Sequence, residues 1–327
     1  MPIRQQTHID RALTNISVMY MQDASNFIAD KVFPVIGVMK QSDTYFIYER
    51  DDFYRDEAAE RAPGTESIGS DYDVNVAPPY FCRIWAFHKD VTEAERVNAD
   101  DPLTPDRDAT DYVTTKILLK REFLWASTFF NTGIWGEDFV GSDDATDIAS
   151  KKIMKWDNPL STPIEDITAL STKMQESTGY RPNTIVMSQH IFDALKNHEE
   201  LIDRIKYTQA GFTTKQLMAR AFEIDNLYVA GAIRNVKAKG EQGVNEFIMG
   251  KHLLLAYVEK RPGLKKPSAG YIFAWKGLKG AGAFGNRVVR IPMPWLGQGT
   301  ERIEAEAAFD MKQVGKDLGY FISDLVD

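Results

Sequence analysis

The chain has 327 residues, 43% hydrophobic and 26% charged, and 39 Lys plus Arg against 47 Asp plus Glu give a formal charge of -8. That length allows about two domains, and the apolar content excludes wholesale disorder. Net acidity argues against a general nucleic-acid binder, no run of ~20 apolar residues could span a bilayer, and one cysteine, Cys82, excludes an internal disulfide or a thiolate zinc cluster.

Residues 7–20 read as a short amphipathic helix. Thr7 is its cap, and Ile9, Leu13, Ile16 and Tyr20 recur at helical spacing. Asp10 and Asn15 break the apolar core that a secretory signal would need. Pro34 stops anything helical in residues 27–33. This opening segment is too short to own a core, so it must pack on its own chain or on a neighbour.

Residues 44–48 have strand propensity. Residues 80–89 alternate, with Tyr80, Cys82, Ile84 and Ala86 on one face and Phe81, Trp85 and Phe87 on the other. Apolar groups on both faces predict a strand covered on both sides. Between the two lies a polar stretch with a turn at Pro63-Gly64, which together describe a long hairpin or projecting loop. Residues 49–73 hold nine acids and three arginines, a local net charge of -6. A charge run is usually a solvated face. Here Arg50, Arg55 and Arg61 are mixed among Asp51, Asp52, Asp56, Glu57 and Glu60, with Phe53, Tyr54 and Ile68 between them. Charges that set register beside aromatic anchors favour a docking element.

After a polar break at 98–108, Thr104-Pro105 starts a helix expected to run to about residue 131, ~39 Å long at 1.5 Å per residue. Asp106, Asp108 and Asp111 suit its positive end. Residues 137–152 look like a loop. A helix at 163–178 closed by Gly179, a strand at 184–187, helices at 191–197 and 213–222, and strands at 224–236 and 247–257 around a Lys/Gly-rich turn make an α/β or α+β unit. Residues 302–311 alternate as a strand with one wet face.

Motifs for chemistry are weak. Gly280-Ala-Gly-Ala-Phe-Gly285 fits the dinucleotide fingerprint in letters, but a strand rather than a helix is expected after it, so a loop between strands is the better reading. His8, His88, His190, His198 and His252 form no HExxH pair, and residues 142–147 lack the glycine and late glutamate of a calcium loop. No catalytic residue, metal site or cofactor is expected.

The order of parts resembles the major capsid proteins of tailed bacteriophages with the Hong Kong 97-like fold. Several stretches are similar in wording: Ile28-Ala-Asp-Lys-Val-Phe-Pro-Val, Lys40-Gln-Ser-Asp-Thr-Tyr, Arg55-Asp-Glu-Ala, Arg61-Ala-Pro-Gly-Thr-Glu-Ser, Arg181-Pro-Asn-Thr-Ile-Val, Asp203-Arg-Ile-Lys-Tyr-Thr-Gln and Pro267-Ser-Ala-Gly-Tyr. The resemblance implies an α+β capsid fold. Its parts would be an N-terminal arm (1–36), an extended β-hairpin loop (37–86), a peripheral domain (87–160 and 285–312) with a long spine helix (105–131), and an α/β axial domain (161–284 and 313–327). It implies a virion protein, assembled in the host cytoplasm, that self-assembles through hexamers and pentamers into an icosahedral shell. The shell would enclose double-stranded DNA without sequence-specific binding and without membrane. Implied partners are neighbouring subunits, a portal, a separate scaffolding protein and a cementing protein where noncovalent contacts do not suffice. Some members crosslink a loop lysine to a neighbour's asparagine; no lysine occurs here between Lys40 and Lys89, so a non-crosslinked shell is expected. Intersubunit contacts are expected from Phe27, Val32 and Phe33 on the arm and from Phe53, Tyr54, Arg55, Glu57, Glu60 and Arg61 on the loop. An encapsulin-type shell of the same fold is the alternative, and a nucleotide-binding enzyme comes third.

Overall fold

The computed structural model describes residues 22–100, 103–205, 214–263, 266–278, 280, 282 and 285–327. The amphipathic helix expected at 7–20 lies outside them. Two larger sheets organise the described residues.

The first sheet is built around Glu301–Gln313, a thirteen-residue strand. Arg83–Val91 and Asn286–Pro292 pair antiparallel with its first part, and Gly270–Trp275 pairs antiparallel with its last part. Val35–Val38 adds in parallel outside Gly270–Trp275. The alternation read in the sequence holds. Ile303, Ala305, Ala307 and Phe309 are buried, and small Ala305 and Ala307 let a helix approach closely. That helix is Pro105–Phe129, which begins at Thr104-Pro105 as expected and lays Ala109, Val113, Ile117 and Trp125 into the same core. The opposite face of the strand carries cross-strand ion pairs, Arg302 with Asp90 at 2.7 Å and Arg287 with Glu306. Arg96 ties the helix start to the sheet by bonding both Asp106, at 2.9 Å, and Glu301, at 2.8 Å.

The second sheet runs Asn226–Ala230, Thr184–Ser188, Leu253–Ala256, Gly319–Ser323, Glu137–Ser142 and Lys152–Met154. Its middle three strands are buried along their whole length, as strands covered on both faces are. On one face Ile185, Met187, Leu253, Leu255, Tyr320 and Ile322 meet Ile167, Leu170 and Met174 of helix Pro163–Thr178 and Ile191 and Leu195 of helix Gln189–Lys196. On the other face Val186, Leu254 and Phe321 join the first core, where Phe130 at the end of the long helix meets Phe321 edge-on. The two sheets therefore share one continuous apolar seam.

Three expectations need correction. Residues 137–152 are not a loop: Glu137–Ser142 pairs in parallel with Gly319–Ser323, and Phe139 is fully buried. Its polar neighbours hid a strand whose partner lies far along the chain. The strands expected at 224–236 and 247–257 are each broken in two. Only Ile233–Asn235 and Asn245–Phe247 pair as a hairpin, while Asn226–Ala230 and Leu253–Ala256 flank Thr184–Ser188 on opposite sides. Arg83–Val91 is not covered on both faces, since Ile84 is 46% and Phe87 38% exposed. Glu137–Ser142 and Lys152–Met154 sit in the second sheet and Gly270–Trp275 in the first.

Candidate assembly surface

The hairpin expected from the sequence is present and thin. Ser42–Asp43 pairs with Tyr80–Phe81, and Phe46–Tyr48 pairs with Val74–Val76, in register Phe46 to Val76. Its base is fastened to the first sheet. Tyr80 stacks on Phe273 with ring centroids 4.5 Å apart, Tyr45 lies over the same ring, and buried Cys82 sits beside them. The Phe81 amide donates to the Asp310 carboxylate at 2.9 Å, and the Trp275 indole donates to the Met39 carbonyl at 3.0 Å. Beyond the base, no layer among the described residues covers the two-stranded ribbon. Phe46 is 65%, Val76 63% and Ile68 70% exposed. A two-stranded hairpin is marginal in water without a surface to pack on.

The tip contains a short helix, Arg50–Phe53, that the sequence reading missed. Tyr48, Phe53 and Tyr72 form a small aromatic cluster there, with centroids 5.6–6.2 Å apart. Tyr54 donates its hydroxyl to the Thr178 carbonyl, one of the acceptors left open at the end of helix Pro163–Thr178. Gly179 leaves that helix with φ +72°, and a Cβ there would meet the Tyr54 hydroxyl at 2.9 Å. Arg50 pairs with Asp317 at 3.1 Å. Tyr54 and Arg50 thus lean the tip against its own subunit. Past them, Arg55 reaches Asp52 at 3.4 Å and Glu57 at 4.0 Å, all within the loop. Glu60 and Arg61 are exposed and make no ion pair among the described residues.

The arm residues behave differently. Phe27, Val32 and Phe33 are 3%, 1% and 1% exposed inside their own subunit. Phe33 packs among Trp125, Phe129 and Trp135 at centroid distances of 5.7, 5.0 and 6.3 Å. The expectation that these three face a neighbour is therefore corrected: they are core residues that pin the chain to the long helix. The pin is completed by Glu122, fully buried, whose carboxylate accepts from the Ile28 and Ala29 amides at 3.0 and 2.8 Å and so caps the short helix Ala29–Val32. Burial pushes the Glu122 carboxyl up to about 7, against the two amides, which lower it. Sequence reading missed Glu122; a glutamate on an otherwise apolar helical stripe was the available signal. It also passed over Trp295 and Leu296, 73% and 52% exposed on the turn Pro294–Leu296.

Groups that suggested chemistry resolve into structure. Strand Asn286–Pro292 follows the glycine loop, so no helix end faces it. His198 is buried, accepts from the Glu200 amide at Nδ1 and sits 3.0 Å from Ser161 Oγ through Nε2; Ser161 in turn donates to the Asn158 carbonyl. That chain of bonds closes a turn. His252 has its pKa lowered by burial, with Asp324 opposing.

Comparison with known proteins fits this picture. A family model described as phage major capsid protein E matches residues 113–248. A major capsid protein of Burkholderia phage BcepMu is 26% identical over 334 residues, covering 96% of each chain. Among solved structures, a phage-related protein from Bordetella bronchiseptica is 22% identical with a TM-score of 0.64 over 94% of this chain and 93% of its own. The mature capsid of bacteriophage PhiM1 matches at 8% identity and a TM-score of 0.60, over 96% and 91%. An encapsulin complex from Synechococcus elongatus matches at 11% identity and 0.53, over 97% and 94%. The mixed helix and sheet fold is shared with solved phage capsid proteins, and in sequence the chain is similar to phage major capsid proteins.

Proposed function

We propose that this phage major capsid protein self-assembles through hexamers and pentamers into a closed icosahedral shell around double-stranded DNA. One observation carries the reading: a hairpin that exposes Phe46, Phe53, Ile68 and Val76 beyond its anchored base. A lone subunit leaves those groups in water. Copies arranged head to tail around a ring can cover each other's hairpins, and a heterologous contact of that kind closes by rotation. Each contact is modest, and many together compound.

In this reading the described parts take the Hong Kong 97-like roles. The hairpin is the extended loop, the long helix with the first sheet forms the peripheral part, and the second sheet with its helices forms the axial part around which rings close. Loop contacts come from Phe53, Tyr54, Arg55, Glu57, Glu60 and Arg61. The role is structural rather than catalytic. The loop offers no lysine beyond Lys40 at its base, so the shell is held without lysine–asparagine crosslinks through the loop tip. Scaffolding is supplied by a separate protein, with a cementing protein and a portal as further partners. The encapsulin reading has fold likeness behind it, as in the match at 11% identity, whereas curated sequence matches are to phage capsid proteins.

Electron microscopy of the chain expressed alone, with nucleic acid and protein assayed inside particles from infected cells, tests this. Closed shells that hold DNA are expected, and dissociated subunits should run as a single band near 37.0 kDa on denaturing electrophoresis. A protein cargo in place of DNA would support the encapsulin reading, and a covalent ladder would overturn the crosslink-free lattice.

A further inference from the structure

We propose that the hairpin carries a latch: Tyr54 and Arg50 hold its tip against the body of their own subunit, and this contact opens before the ribbon reaches a neighbouring copy, a claim that rests on the hairpin being the element neighbours cover. The tip is built as one small unit. The Glu49 amide donates to the Asp73 carbonyl at 3.1 Å, and the Asp73 amide donates to the Asp52 carboxylate at 2.9 Å, so the incoming and outgoing chains are tied together beside the Tyr48, Phe53 and Tyr72 rings. Two side chains leave this unit for the body. The Tyr54 hydroxyl donates to the Thr178 carbonyl at 2.5 Å, and Arg50 Nη1 lies 3.1 Å from the Asp317 carboxylate. Helix Pro163–Thr178 packs against the turn Lys316–Leu318, so both acceptors belong to one patch of the subunit.

The hairpin is therefore held at two ends of unequal strength. At its base Tyr80 and Cys82 are buried, and freeing them would bring them and the Phe273 ring into water. At the latch Tyr54, Arg50 and Asp317 are all about half in water. A single hydrogen bond and a solvent-exposed ion pair are each worth little against competing water. The fit is close all the same: a Cβ on residue 179 would stand 2.9 Å from the Tyr54 hydroxyl, so the glycine that ends the helix also gives the ring its seat. The latch is thus the joint that gives way. In a lone subunit it has no competitor. A neighbour that covers Phe46, Ile68 and Val76 offers apolar burial in exchange for one hydrogen bond and one ion pair, and the larger gain shifts the population to the open tip. Dilute subunits are biased to stay apart, and crowded ones are released to join.

A cysteine pair reads the latch directly. Arg50→Cys with Asp317→Cys in the full chain, treated while dilute with a bismaleimide whose spacer holds a reducible disulfide, should crosslink within one chain; Cys82 is buried and does not compete. No crosslink within the chain would overturn the latch, whether or not shells form. Crosslinked subunits should stay unassembled on sedimentation and form shells once a reductant cuts the spacer; shells formed with the spacer intact would overturn the need for opening. Tyr54→Phe with Arg50→Gln removes both contacts and keeps the ring and the stem. It should form shells roughly fivefold faster than the unmodified chain at the same concentration, the weight of one hydrogen bond. An equal or slower rate would overturn the device. Failure of the unmodified chain to form shells at any concentration would count against the shell reading, and the crosslink still decides the latch.

Discussion

Glu122 is a buried carboxylate that holds the entry of the chain to the long helix, and its pH response follows from its surroundings. Its pKa is raised from 4.5 to about 7 by burial, with Asp30 also raising it and Arg121 lowering it. A carboxyl with a raised folded-state pKa contributes stability that is full below 4.5 and lost as pH rises through about 7. Chemical denaturation of the subunit should therefore show stability falling between pH 4.5 and about 7 and levelling off above. Glu122→Gln, which keeps an acceptor for Ile28 and Ala29, should flatten that slope; an unchanged slope would assign the effect to another group. Phe33→Ala should cost about 3–5 kcal/mol, because it empties a site walled by Trp125, Phe129 and Trp135. The Cys82 thiol is fully buried, and burial pushes its pKa up to about 11. It should resist a thiol reagent at neutral pH until the chain is unfolded, and fast labelling of native protein would show that the hairpin base opens.

At the scale of elements, the hairpin divides into a base that belongs to the subunit and a ribbon that does not. Phe46→Ser with Val76→Ser alters two exposed, cross-paired positions. Subunit stability should change little, while shell yield should collapse, as scored by sedimentation of assembled particles. Arg61→Glu should likewise leave stability within about 0.5 kcal/mol and reduce shell yield; full yield would remove Arg61 from the interface. Elements with strong periodicity were legible in the sequence. The long helix was marked by Thr104-Pro105, helix Pro163–Thr178 by Gly179, and the strand Glu301–Gln313 by its alternation. Glu137–Ser142 was not legible, because Phe139 and Val140 are adjacent and show no alternation, and its pairing with Gly319–Ser323 is set nearly two hundred residues away. The loop residues Phe53, Tyr54 and Arg61 were legible as exposed. Phe27, Val32 and Phe33 were misplaced because sequence says that apolar groups need cover, not whose. Glu122 supplies the missing fact: an anchoring cap inside the same subunit.

At the scale of the whole molecule, the two sheets share a seam, while among the described residues the hairpin ribbon and the turn at Trp295 stay exposed. The charge of -8 is compatible with the proposed shell, since a lumen that gripped DNA strongly would hinder packing and release. In the proposed shell, the body is the part a subunit packs by itself and the ribbon is the part that neighbouring copies cover. Light scattering of the purified chain across a wide concentration range tests that division most directly. Rings and shells of many copies are the result expected, with Phe46, Ile68 and Val76 shielded from side-chain oxidation only in the assembled fraction. A particle of 37.0 kDa at every concentration, with those residues already shielded, would contradict it.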